Sequence, residues 1–285
     1  MISFSKAMKS IYGKSKTALP VNPEEVYIQS KLAGEFAGEK FAVRLFGRIY
    51  RQKDVSDKWV ILLHPNQLNG QIIANKIGYI YYELGYNILA PDLRSFGKSK
   101  GHVAMGFLES MDIYDWLCKI NDKYGAKHIV IHGLSLGGAT INYLSGIDTF
   151  LAKEPIHVHT LCSPQELHVE KLIVDSSFVD LKQFAGNSYL TRYGTGLTKE
   201  TFEYYGDASG SLCYSLVPMM IIHGTKDFFV KMSNADKIAD CLNVPFQYWK
   251  VEGEGHVFVL LDRCTEEYRE KVQAFLYIDP IPKIP

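Results

Sequence analysis

The chain has 285 residues, and its 31 basic and 31 acidic side chains cancel to a formal net charge of zero. Hydrophobic residues make up 47% and charged residues 22%, which supplies a sizeable core and excludes disordered and collagen-like chains. The balanced charge leaves no electrostatic footprint for nucleic acid, and no apolar run reaches the ~18–20 residues of a membrane span.

The N-terminal segment carries Lys6, Lys9, Lys14 and Lys16 without an acid and lacks the apolar centre of a signal peptide. Phe4, Met8, Ile11 and Tyr12 share one helical face, so a short docked helix or a frayed end is expected there. Its basic side allows weak contact with a membrane surface. Glu25–Leu32 and Phe41–Tyr50 read as two early strands, with Ala33-Gly34 and Ala37-Gly38 as a turn region between them. The apolar run Trp59–Leu63 suits a buried parallel strand. Ile72–Leu84 reads as a helix ended by Gly85, Asn87–Pro91 as a strand, and Phe107–Tyr124 as a long helix ended by Gly125. His128–His132 is a strand and Gly137–Ser145 a small-residue helix stopped by Gly146. Lys171–Val174 and Met219–His223 are further strands; Ser233–Leu242 is a helix, Gln247–Val251 the last strand and Thr265–Tyr277 the last helix.

Strands alternating with helices of this length mean βαβ units and a mainly parallel sheet. No internal repeat or linker divides the chain, so residues 1–285 are expected to form one domain. The stretch 178–216 carries eight aromatics, from Phe178 to Tyr214, and is expected to be a small cap over a site. Cys118, Cys162, Cys213, Cys241 and Cys264 are odd in number and form no C-x-x-C, which suits free thiols in a reducing, cytoplasmic setting.

The strongest chemical signal is Gly133-Leu134-Ser135-Leu136-Gly137, a G-x-S-x-G lying between the apolar strand and the small-residue helix. A serine at so tight a turn is held in strained backbone with its hydroxyl above the sheet. A serine nucleophile needs a base, and the base needs a carboxylate to orient it. His256, in Gly253-Glu254-Gly255-His256, and Asp227, in His223-Gly224-Thr225-Lys226-Asp227, both follow strands whose carboxyl ends share an edge with Ser135. Asp175 is the competing acid. An oxyanion needs two N–H donors. Leu136, next after the serine, is one; Asn66 is the other, because Pro65 in the loop His64-Pro65-Asn66 has no N–H.

These motifs, with Pro91-Asp92-Leu93-Arg94-Ser95-Phe96-Gly97-Lys98-Ser99, make the chain resemble the α/β-hydrolase fold family over about Val26 to Leu276. Within it the chain looks closest to bacterial serine hydrolases of the serine aminopeptidase type. The resemblance implies a central sheet of about eight mainly parallel strands flanked by helices, a small cap insertion, and no metal or organic cofactor. It also implies that Ser135 is the nucleophile, His256 the base and Asp227 the acid, that Asn66 and Leu136 hold the oxyanion, and that Asp92 and Arg94 are mostly structural. Three features depart from the pattern: His64-Pro65 stands where the family has His-Gly, no N-terminal anchor is visible, and the segment Ile147–Glu170 is longer than the family's usual connection.

His157-Val158-His159, with Cys162 and His168 beyond, has an alternation that can ligate zinc, but no second close pair follows and a solvated histidine cluster is the expectation. The expected activity is cleavage of a small-molecule carboxylic ester with a small-to-medium acyl group. The rivals are an amidase or aminopeptidase, with Glu200 or Glu203 holding the substrate amine, a thioesterase, and a non-catalytic binding protein on the same fold.

Overall fold

The computed structural model describes residues 19–154, 160–180, 206–257 and 262–278. The strands are β1 (Glu24–Gln29), β2 (Arg44–Tyr50), β3 (Lys58–Leu63), β4 (Asn87–Asp92), β5 (His128–Leu134), β6 (Val169–Asp175), β7 (Met219–Gly224) and β8 (Phe246–Val251). They form one eight-stranded sheet in the order β1-β2-β4-β3-β5-β6-β7-β8. β1 and β2 pair antiparallel, β2 runs antiparallel to β4, and every pairing from β4 to β8 is parallel. The pleat divides each central strand between two cores. Trp59, Ile61, Leu63, Ile129, Ile131, Leu172 and Val174 enter one cluster, whereas Val60, Leu62, Val130 and Ile173 enter the other. Burying each such side chain contributes about 1.5–3 kcal/mol, which fixes strand register because a one-residue slip would exchange the faces.

The first face is covered by α1 (Leu32–Ala37), α3 (Phe107–Tyr124), α4 (Leu136–Leu144), α5 (Ile147–Leu151) and α7 (Met232–Cys241). The second is covered by α2 (Gly70–Tyr82) and α8 (Thr265–Tyr277). A single-turn helix, α6 (Ser209–Leu212), precedes β7.

One expectation changes. The turn region at Ala33–Gly38 is instead helix α1. Asp115 on α3 accepts from the amides of Lys31 and Leu32 at 2.7 and 3.2 Å, satisfying the open N-terminus, and Leu32, Ala33 and Phe36 are buried. Tertiary capping overrides the weak local propensity. The small-residue helix stops before Gly146 as expected, α4 ending at Leu144 with Ser145 as its cap, and α5 begins directly after that glycine. The basic segment Lys6–Lys16, the centre of the expected cap at 181–205 with Glu200 and Glu203, and the tail from 279 onward lie outside the described residues. Among the described residues no helix is long and apolar enough to cross a membrane.

Candidate active site

The parallel strands bring their carboxyl ends to one edge. Register pairs Leu63 with Gly133, Leu134 with Asp175, Asp175 with Ile222 and Gly224 with Val251. The loops after β3, β5, β6, β7 and β8 therefore meet above that edge. Ser135 is the residue between β5 and α4, with φ +52° and ψ −108°. A serine held at positive φ stores strain that the surrounding packing must sustain. The turn closes because Gly137 has no side chain: a Cβ there would lie 2.3 Å from the Leu63 carbonyl oxygen. Strain concentrates around this serine. Of the seven non-glycine residues at positive φ among the described residues, Gln67, Ser135, Ser176 and Val257 all belong to these loops.

The three expected side chains meet. His256 Nε2 lies 3.1 Å from Ser135 Oγ, and His256 Nδ1 lies 2.6 Å from Asp227 Oδ2. A carboxylate only accepts, so Nδ1 carries the hydrogen and the Nε2 lone pair faces the serine hydroxyl. Asp227 is itself held: its Oδ1 accepts from the amides of Phe229 and Val230, both at 2.9 Å. The loops carrying Asp227 and His256 touch backbone to backbone. Lys226 N–H donates to the Glu254 carbonyl at 2.8 Å, and a Cβ on Gly224 would stand 2.4 Å from that same oxygen.

Asp175 is buried, and both of its oxygens are taken by hydroxyls. Its Oδ1 accepts from Ser176 Oγ at 2.7 Å and its Oδ2 from the Tyr268 hydroxyl at 2.9 Å. Tyr268 also meets His132 Nε2 at 2.9 Å, and His132 Nδ1 meets the Tyr81 hydroxyl at 2.7 Å. Because the Tyr268 hydrogen goes to Asp175, His132 donates through Nε2 and accepts from Tyr81 through Nδ1. Every donor in the series then points toward the carboxylate. Burial lifts Asp175 to about 7 against the opposing hydrogen bonds from Ser176 and Tyr268, and burial lowers His132 to about 3. This network braces the site from below. Ser135 N–H donates to the Asp175 carbonyl at 2.8 Å, and Val257 N–H, next to His256, donates to Ser176 Oγ at 3.0 Å.

The loop after β3 is fixed at both ends. His64 Nε2 accepts from the Leu93 amide at 2.9 Å, so its hydrogen sits on Nδ1, 2.8 Å from the Pro65 carbonyl. Burial lowers His64 to about 4 and keeps it neutral. Asp92 Oδ1 accepts from the Gly70 amide at 2.8 Å and from Arg48 at 3.2 Å. Asp92 and Arg94 are thus structural: Arg94 pairs with Asp112 through Nε at 2.7 Å and Nη2 at 2.6 Å, deep in the core. Asn66 sits exposed at the crest of the loop. Leu136 opens α4, where its amide has no acceptor within the helix.

Sequence reasoning did not give Ser176, Tyr268, His132 or His64 a role. The available signal was a histidine inside the apolar run Ile129–Leu134, a buried polar group that must find partners. Among the described residues no three His, Cys, Asp or Glu side chains are grouped to hold a metal ion. His157 and His159 lie outside the described residues, Cys162 is exposed, and His168 Nε2 lies 3.3 Å from Lys127 Nζ.

No protein-family model matches the chain. Its backbone is similar to the esterase Pf2001 of Pyrococcus furiosus, with TM-score 0.66 and 21% identity over 92% of this chain and 96% of that one. It is also similar to the α/β hydrolase GrgF of Penicillium sp. sh18, with TM-score 0.67 and 13% identity over 90% and 98% of the two chains. In sequence it is 23% identical over 195 residues to the uncharacterized protein YfhR of Escherichia coli K12, covering 68% of this chain and 61% of YfhR. It is 24% identical over 228 residues to bovine protein ABHD8, covering 71% of this chain and 52% of ABHD8. The chain thus spans between half and two thirds of the curated relatives it matches. Together with the strand order, these likenesses show that the chain has the α/β-hydrolase fold.

Proposed function

From the α/β-hydrolase fold and the series Ser135–His256–Asp227 we propose that the protein is a serine hydrolase that cleaves carboxylic esters of small-to-medium acyl groups. The observation that carries this reading is the geometry at Ser135: a strained serine at a helix start, 3.1 Å from an imidazole nitrogen whose partner nitrogen is 2.6 Å from a buried carboxylate. Ser135 Oγ attacks the ester carbonyl while its proton passes to His256 Nε2. Asp227 keeps the imidazole in the receptive tautomer and stabilises the imidazolium that forms. The amides of Leu136 and Asn66 receive the charge on the tetrahedral oxygen. His256 returns its proton to the leaving alcohol, then takes one from water as that water attacks the acyl-serine. The free acid departs and Ser135 regains its hydrogen.

Ser135→Ala removes one hydroxyl from a side chain that is almost buried, so the fold persists. Covalent labelling by a fluorophosphonate should disappear, and turnover of p-nitrophenyl esters should fall by roughly 10⁴–10⁶. Retention of more than a few per cent of the wild-type rate would remove Ser135 as nucleophile. Running aminoacyl anilides beside the esters separates ester from amide preference.

A further inference from the structure

Among the described residues, large exposed hydrophobic side chains are few, and two of them are sequence neighbours beside the site: Phe228, 79% exposed, and Phe229, 44% exposed. Exposed aromatic surface is costly to leave in water and marks a place where an apolar group binds. Here the surface is built rather than incidental. The turn that carries both rings is the one that holds Asp227, because Asp227 Oδ1 accepts from the Phe229 and Val230 amides. The same turn is tied to the His256 loop through Lys226 N–H and the Glu254 carbonyl. The Phe229 ring lies 5.5 Å from the His256 imidazole, and Phe228 lies 4.1 Å from Phe229 at 32°. An aromatic surface therefore runs outward from the imidazole.

Which half of the substrate meets that surface follows from the chemistry. The imidazole must hand its proton to the leaving oxygen, so that oxygen comes within roughly 3 Å of Nε2 in the transition state. The carbon chain beginning at that oxygen belongs to the alcohol, not to the acyl group. We propose that Phe228 and Phe229 bind the alcohol half of the ester, and that the protein selects esters of bulky apolar or aromatic alcohols. This rests on the serine hydrolase reading of Ser135 and His256. The pair acts in acylation alone, because the alcohol has left before water attacks the acyl-serine.

The test uses two ester series on the full chain. One holds the acid as acetate and varies the alcohol through ethyl, butyl, hexyl, benzyl and naphthylmethyl. The other holds the alcohol as ethyl and varies the acid from acetate to octanoate. In the wild type, kcat/KM should climb along the alcohol series toward the aromatic members. In Phe228→Ala/Phe229→Ala the ratio of kcat/KM for benzyl over ethyl acetate should fall roughly 10-fold. The octanoate-over-acetate ratio should stay within about twofold, and the rate of acyl-enzyme breakdown after a burst should match the wild type. A wild-type alcohol series without slope would overturn the proposal, and that measurement needs no variant to fold. So would a variant that loses acyl selectivity or slows acyl-enzyme breakdown. If the wild type hydrolyses neither series and Ser135 takes no fluorophosphonate, the hydrolase reading itself fails, which is a different outcome.

Discussion

At the scale of single residues, two buried carboxylates compete for one role and their hydrogen bonds separate them. Asp227 gives one oxygen to two backbone amides and the other to His256 Nδ1. Asp175 gives both oxygens to hydroxyls, Ser176 and Tyr268, and none to the imidazole. Asp227→Asn replaces an acceptor by an amide that can donate to Nδ1, which turns the hydrogen-bearing nitrogen toward Ser135. The expected loss in kcat/KM on p-nitrophenyl acetate is roughly 10³–10⁴. Asp175→Asn keeps the shape and an acceptor oxygen, so its expected loss is within about 10-fold, through small shifts of the Ser135 and Val257 backbone. Steady-state kinetics on the two variants decides the matter, and the reverse ranking would move the orienting acid to Asp175.

At the scale of elements, α4 leaves β5 and must immediately pass over β3. Alanine normally favours a helix by about 0.5–1 kcal/mol over glycine. At Gly137 that gain is overwhelmed, because the new Cβ would meet the Leu63 carbonyl oxygen at 2.3 Å and the strand cannot move without breaking its pairing with β5. Gly137→Ala should lower stability by about 1–3 kcal/mol in urea denaturation and displace Ser135 from His256. An unchanged midpoint with full activity would contradict the tight-turn account. This glycine was readable in advance because G-x-S-x-G is a local pattern. So were the helices Phe107–Tyr124 and Thr265–Tyr277, whose observed bounds match their apolar periodicity and flanking signals. Ser135, Asp227 and His256 were readable because parallel strands deliver their ends to one edge. Helix α1 was not, since its cap, Asp115, lies 84 residues from Lys31. The His132–Tyr268–Asp175 network was not either, since Tyr268 stands 136 and 93 residues from its two partners. Contacts of that separation leave no periodicity in the chain.

At the scale of the whole molecule, the buried ionisable groups make stability depend on pH in two opposing senses. Burial raises Asp175 from an ordinary 3.8 to about 7, so the folded state holds that proton longer than the unfolded chain does. Its contribution is complete below the unfolded value and is lost as pH rises through about 7. His64 and His132, lowered by burial from 6.5 to about 4 and about 3, act oppositely: their contribution is present above 6.5 and is lost as pH falls. Asp175→Asn deletes the first dependence and leaves both histidines in place. Relative to wild type, the variant should therefore gain about 2.5 kcal/mol of unfolding free energy between pH 5 and pH 8. Urea titrations at the two pH values measure this, and a difference that does not move with pH would show that Asp175 is not shifted in the fold.

The placement of α8 also bears on the order in which the molecule can be completed during synthesis. The ribosome makes β5 and β6 long before Tyr268, yet His132 and Asp175 depend on that hydroxyl, and Val130 and Ile173 belong to the same core as Tyr268, Val272 and Phe275. Lys171 on β6 also waits, since its ammonium donates to the Phe275, Leu276 and Ile278 carbonyls at 2.8, 2.6 and 2.7 Å. A nascent chain that has finished the sheet therefore still exposes apolar strand surface, and His132, Asp175 and Lys171 still await their contacts with α8. Ser135 is translated well before this helix, but the bracing beneath it closes only when the helix 265–277 docks. A stalled chain of 260 residues would hold Ser135, Asp227 and His256 and still lack the support that fixes their spacing.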